Sequence, residues 1–224
     1  LATAQQEQKV GQKHPAIPLP HELYGEQRDN SAGLDLANDQ DLAALNTTAQ
    51  NLHQHQWTAQ PMGEGLTAED CADVHAILNP AQHQDIVGHV QEATAAQVNQ
   101  ALGNAVQAQA VWANISKHER AQCLERAADL MQARLQPLML LLCRESGKTY
   151  ANAIAEVREA IDFLRYYAAQ MRDLDINTQI IPLGPVLCIS PWNFPLAIFS
   201  GQIAAALVAG NTVLAKPAEQ TPLI

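Results

Sequence analysis

Residues 183–219, LGPVLCISPWNFPLAIFSGQIAAALVAGNTVLAKPAE, decide the fold. Residues 186–190 are a short apolar run opened by Gly184-Pro185, the pattern of a strand buried on both faces. Residues 195–209 are almost continuously apolar and stop at Gly210-Asn211, the usual end of a helix. A second β-rich run, 212–215, is broken by Pro217. Strand, helix and strand in this order predict a βαβ crossover, right-handed in nearly all folds. Ligands of such sheets lie beyond the carboxyl ends of the strands. Here those ends are Ser190-Pro191-Trp192-Asn193 and Lys216-Pro217-Ala218-Glu219.

ISPWNFP at 189–195, followed by GNTV at 210–213 and KPAE at 216–219, closely resembles the NAD(P)-dependent aldehyde dehydrogenase superfamily. The motifs and their separation occur together, and the resemblance extends over roughly residues 76–224. It implies an α/β fold: an aldehyde dehydrogenase-like, Rossmann-type NAD-binding domain, truncated, behind a helical segment and an extended linker. Residues 1–73 are expected to be that linker and helix. Residues 74–224 are expected to be the N-terminal part of the NAD-binding domain. The chain starts at Leu1 rather than Met, and members of the superfamily run to twice its 224 residues or more, so a fragment is expected.

A net charge of −10 with scattered Lys and Arg argues against a nucleic-acid face. Cys71, Cys123, Cys143 and Cys188 have no CxxC spacing and lie in or beside apolar patterns, as expected of reduced thiols in a cytoplasmic protein. No apolar core of a signal peptide is visible in LATAQQEQK. The one candidate membrane span, 196–214, contains Ser200, Gly201, Gln202, Gly210 and Asn211 and reads better as a buried α/β helix.

Upstream, residues 14–36 carry three prolines in six residues, then Tyr24-Gly25 and Gly33, and read as an extended linker rather than a packed element. PxPxxLYG followed by NSAGLDL resembles the segment between the catalytic units of the bifunctional proline-oxidising enzymes of the proline utilization A family. Residues 39–56 read as a helix capped by Asp39 or Asp41, with Leu42, Leu45, Ala49 and Leu52 at helical spacing. Residues 74–90 read as two short strands around Asn79-Pro80. Thr94 to Gln97 and Ser116 to Glu119 are capping boxes opening two helices. The first is expected to bury Val98, Leu102, Ala105 and Val106, the second Ala121, Leu124, Ala128 and Met131. Pro137 starts a third helix that stops at Gly147. A fourth, 151–172, puts Ile154, Val157, Ile161, Leu164, Ala168 and Met171 on one face, and residues 178–181 are expected to be a strand.

Each candidate site residue has a plain alternative. Asn193 is either a turn amide capping the next helix or, as the resemblance implies, an oxyanion-hole donor for the aldehyde oxygen. Lys216 and Glu219 are either a solvated ion pair of little worth or, by resemblance, the partners of the adenosine ribose hydroxyls. A carboxylate facing the 2′ position accepts a hydroxyl and repels a phosphate, so Glu219 favours NAD over NADP. Ile189, Ser190, Pro191 and Trp192 are expected to line the cofactor cleft through backbone atoms; the chain has no GxGxxG fingerprint. Phe194 is expected to be an apolar wall of the aldehyde pocket. Glu159 lies on the polar side of its helix, where a solvated face is the plain alternative, and aligns with a Glu at the substrate entrance of 1-pyrroline-5-carboxylate dehydrogenases. Cys188 is four residues from Trp192 but lies in the strand with nothing basic beside it, so an inert thiol is expected. His53 and His55 have no second ligand pair, and no metal is expected.

The resemblance implies NAD-dependent oxidation of L-glutamate γ-semialdehyde to L-glutamate, the second step of proline catabolism. In the family a Cys thiolate attacks the aldehyde, hydride passes to NAD, and a Glu activates the hydrolytic water. Both groups fall beyond KPAE, so these 224 residues alone are expected to be inactive. The parent is expected to be a homo-oligomer acting on a small aldehyde, with FAD confined to its proline dehydrogenase part. The competing readings are another aldehyde dehydrogenase, such as one for succinate semialdehyde, and a non-catalytic scaffold of the same fold.

Overall fold

A computed structural model describes residues 14–70, 72–175 and 181–224. After a 3-10 turn at Pro20–Glu22, helix α1 (Asp39–Leu52) is capped by Asn38, whose side chain accepts the N–H of Gln40 and Asp41. Strand β1 (Trp57–Ala59) lies parallel to β3 (Gln82–Gln91), and β3 pairs antiparallel with β2 (Val74–Asn79), giving the order β1-β3-β2. Four helices follow: α2 (Ala95–Asn114), α3 (Lys117–Ala133), α4 (Leu135–Ser146) and α5 (Tyr150–Asp173). The chain closes with β4 (Val186–Ile189), α6 (Ala197–Val208) and β5 (Val213–Lys216). The strands β4 and β5 are parallel, in register from Val186 opposite Val213 to Ile189 opposite Lys216.

The helix boundaries follow their local chemistry. Thr94 and Gln97 form a reciprocal capping box at α2, and Ser116 and Glu119 form another at α3. Gly147, at φ +68°, ends α4 in the left-handed conformation. The Thr149 hydroxyl then accepts the Asn152 N–H to open α5. The expected stripe of α5 is found: Ile154, Val157, Ile161, Leu164, Ala168 and Met171 are all buried. Against it pack Ala121, Leu124 and Ala128 of α3, Met139 and Leu142 of α4, and Ala197, Ala204 and Val208 of α6. Leu45 of α1 joins the same core.

Four expectations need correction or limit. The apolar stripe of α2 is not buried: Val98, Leu102 and Val106 are 55%, 47% and 58% exposed, and of the expected four only Ala105 is covered. This helix is instead anchored by polar side chains, with Gln109 Nε2 donating to the Gly210 carbonyl and Trp112 Nε1 to that of Leu207. Strand β4 is covered on one side alone. Cys188 is buried, while Leu187 and Ile189 point the other way and are more than half exposed, because the pleat alternates faces. The segment 14–36, expected as an extended linker, is extended over no longer a stretch than 28–35, since 15–27 are mostly turns and a 3-10 helix, and it is docked: Ser31 is 1% exposed and binds the Asp162 carboxylate through both its N–H and its hydroxyl. Arg28 pairs with the same carboxylate at 3.0 Å. The strand expected at 178–181 lies outside the described residues except for Ile181, which is in no strand. No helix among the described residues is long and apolar enough to cross a membrane.

Helix α6 approaches α5 at Gly201, where an added Cβ would lie 2.9 Å from the Phe163 ring. Gly201→Ala therefore has to push the two helices apart, and is expected to cost about 1–3 kcal/mol. The measurement is a lower urea midpoint with an unchanged slope.

Candidate active site

The two strand ends leave the sheet side by side. Beyond the last ladder pair, the Ser190 N–H donates to the Lys216 carbonyl at 3.1 Å. The SPWN and KPAE tips are thus joined at their bases by a backbone hydrogen bond, with their side chains emerging at one edge.

The SPWN loop is pinned at both ends. At its start, Ser190 is 6% exposed and its hydroxyl lies 3.3 Å from the Pro191 carbonyl and 3.4 Å from that of Pro195. At its end, the first N–H groups of α6 receive no cap from the adjoining chain. They are taken by Glu156 of α5, whose Oε1 accepts from Leu196 at 2.9 Å and Ala197 at 3.3 Å. The other Glu156 oxygen lies 2.7 Å from Lys148 Nζ. Between the pins, Trp192, Asn193 and Phe194 are exposed. The Asn193 side chain makes no hydrogen bond among the described residues and does not cap α6. Its amide is held on a fixed turn and remains available.

Phe194 and Glu159, far apart in sequence, both feel the Lys148 charge, the first by contact and the second at longer range. Lys148 Nζ sits 4.5 Å from the centre of the Phe194 ring. The Glu159 carboxyl is pushed above its ordinary range by partial burial and then by the negative charge of Glu156, with Lys148 pulling the other way. Lys148 and Glu156 were not singled out in the sequence. The signal for Glu156 was present: a carboxylate placed three residues after Ala153 and four before Ala160, both fully buried on the apolar face of α5.

On the second tip, Lys216 and Glu219 are exposed and do not pair with each other. Lys216 Nζ donates to the Pro217 carbonyl at 3.1 Å, and Glu219 Oε1 accepts from Gln220 Nε2 at 3.0 Å. Ala218 between them is buried and anchors the loop. Just beyond, Glu145 of α4 accepts the N–H of Leu223 at 2.7 Å and of Ile224 at 3.1 Å, the counterpart of the Glu156 grip. Ile189 is exposed and Pro191 half-buried. The cysteines described here are placed as scaffolding. Burial raises Cys188 and pushes Cys143 up to about 11, and Cys123 sits within α3, its sulfur accepting from Arg126. Cys71 lies outside the described residues.

The sequence model of the aldehyde dehydrogenase family matches residues 67–224. The chain belongs to the aldehyde dehydrogenase family. Over 221 residues it is 58% identical to the bifunctional protein PutA of Klebsiella aerogenes, covering 99% of this chain and 17% of that protein. That match reaches through the docked linker, upstream of the family domain. The fold superposes on proline utilization A from Bdellovibrio bacteriovorus with a TM-score of 0.82 and 31% identity, over 97% of this chain and 24% of the other. A Thermus 1-pyrroline-5-carboxylate dehydrogenase with bound NAD matches at a TM-score of 0.78 and 30% identity, over 93% and 41% of the two chains. The α/β fold expected from the strand-helix-strand reading is thus that of part of an aldehyde dehydrogenase domain. The chain spans 17% of the curated relative's length.

Glu145 gives this family member a pH signature. Burial outweighs its two N–H bonds and pushes its carboxyl up to about 7. Between about pH 4.5 and 7 the folded state therefore keeps a proton that the unfolded chain has released, so stability falls as pH rises through that window and is level above it. The drop is expected to be about 3 kcal/mol. In Glu145→Gln the corresponding slope in urea-unfolding free energy against pH should vanish.

Proposed function

We propose that this chain provides the adenosine-ribose contacts and one oxyanion donor of an NAD-dependent dehydrogenase that oxidises L-glutamate γ-semialdehyde to L-glutamate. These residues would serve within a longer bifunctional chain that also oxidises proline with FAD. The observation that carries the reading is the pair of adjoining strand tips, one presenting an Asn193 amide with no hydrogen-bond partner among the described residues and the other an exposed Lys216 and Glu219 that bond only to their sequence neighbours. The likeness to a bifunctional PutA and to a 1-pyrroline-5-carboxylate dehydrogenase supports the choice of aldehyde.

Each residue has a distinct task in this scheme. Asn193 donates its amide N–H to the aldehyde oxygen as negative charge gathers there, and the pinned turn means that little reorganisation is needed at that moment. Phe194 walls the pocket beside it, and Glu159 borders the entrance. Glu219 accepts a ribose hydroxyl and repels a 2′-phosphate, while Lys216 donates to the same sugar. Ile189, Ser190, Pro191 and Trp192 shape the cleft between the tips. NAD, when bound, accepts the hydride. The nucleophile is assigned to neither Cys188 nor Cys143, in both of which burial disfavours ionisation of the thiol.

In the dehydrogenase-bearing protein, Asn193→Ala is expected to lower kcat by roughly 10²–10³-fold with little change in KM for NAD. Glu219→Ala should raise KM for NAD roughly tenfold, the size of one lost hydrogen bond to a charged group, and admit NADP. The 224 residues alone should form no NADH from the semialdehyde. An Asn193→Ala enzyme of unaltered kcat overturns the assignment.

A further inference from the structure

Lys148 has a place in the fold that its sequence neighbours do not announce. It stands on the tight corner between α4 and α5, directly after the left-handed Gly147 and directly before the Thr149 cap. Its side chain is 13% exposed, and its ammonium reaches two groups at once. One is the wholly buried Glu156 carboxylate at 2.7 Å, which grips the first N–H groups of α6. The other is the face of Phe194, at 4.5 Å. Phe194 is the residue immediately after Asn193, and Leu196 is two further on. The cation therefore ties together both structures that set where the Asn193 amide points.

We infer that Lys148 is a positioning residue for the oxyanion donor: it holds Glu156 and Phe194 so that the turn between them presents the Asn193 amide in one orientation. This rests on the reading of Asn193 given above. Without the ammonium, Glu156 is a buried carboxylate lacking its counter-charge, and Phe194 loses the group against which its ring is set. The turn then samples several orientations, and an amide displaced by about 1 Å loses much of its effect on the reaction. The adenosine-ribose contacts lie on the other tip, whose anchors are Ala218 and Glu145, and the cofactor-lining stretch Ile189 to Trp192 is tied on the strand side by the Ser190 N–H to Lys216, so neither is disturbed.

The test uses the full dehydrogenase-bearing protein. Lys148→Met is expected to lower kcat at least tenfold while KM for NAD changes less than twofold. Lys148→Arg, which keeps the charge and its attraction to the ring, recovers most of the loss. In an Asn193→Ala background, Lys148→Met has almost no further effect on kcat, since the group it positions is gone. Glu156→Gln keeps an oxygen for the Leu196 and Ala197 N–H groups but gives up the ion pair, and carries the same test should Lys148→Met fail to fold. A normal kcat in Lys148→Met or Glu156→Gln overturns the proposal, and so does a loss that multiplies with that of Asn193→Ala. If Asn193→Ala is itself as fast as the unaltered enzyme, the reading of the site fails and the role of Lys148 fails with it.

Discussion

Helix α6 is held at both ends by buried charges of the sign its dipole calls for. At the N-terminus, Glu156 accepts the Leu196 and Ala197 N–H groups. At the C-terminus, the buried Arg120 donates through Nε to the Val208 carbonyl at 2.9 Å and through Nη1 to the Ile115 carbonyl, so that one guanidinium closes the ends of α6 and α2 together. A negative charge at the first turn and a positive one at the last each stabilise a helix, more strongly where water is excluded. This matters more for α6 than for its neighbours. Its sequence is apolar nearly all round, so no stripe tells it which way to face. Its rotation and depth are set by the end grips and by the close approach of Gly201 to Phe163.

The site inherits its geometry from that grip. A loop between a strand and a helix is as well placed as the two elements it joins, and here each element is fixed by a different part of the protein. The strand side is tied by the Ser190 N–H to Lys216 and by β4-β5 pairing. The helix side is tied to α5 through Glu156. Asn211 adds a third tie: its side-chain oxygen accepts the N–H groups of Leu183 and Gly184, and its amide donates to Ala206. The start of β4 and the end of α6 are thus bound to each other. Trp192, Asn193 and Phe194 are left exposed on a turn with little freedom, the arrangement that electrostatic stabilisation of a developing charge requires.

What the sequence made legible was local. Capping boxes at Thr94 and Ser116, the glycine stop at Gly147 and the stripe of α5 each depend on residues within a few positions of one another, and all appear where expected. The resemblance of the two tip motifs brought the family with it. Illegible were contacts set by distant partners. Glu156 serves a helix that begins forty residues later, and Asp162 serves a segment more than a hundred residues earlier. The α2 stripe misled for a related reason: apolar spacing shows which residues share a face, and not whether anything in the chain covers that face. Val98, Leu102 and Val106 share a face and remain open.

The two charged faces of α5 bear on how the upstream segment relates to the site. One face carries Glu156 and, nearer the surface, Glu159. The next carries Arg158, whose Nε donates to the Ser31 hydroxyl, and Asp162, which binds Ser31 and Arg28. Ala32 is fastened in turn to Gln132 of α3 at 2.8 Å. A proline-rich stretch that only spanned a gap would have solvated side chains and a broad range of end-to-end distances. This one ends in a buried serine and an ion pair on the same helix that grips α6. The segment therefore leaves the core from a fixed point, and the rigid body it is fixed to is the one that places Asn193. The polar residues of α5 that resemble a solvated helix face are the fastening.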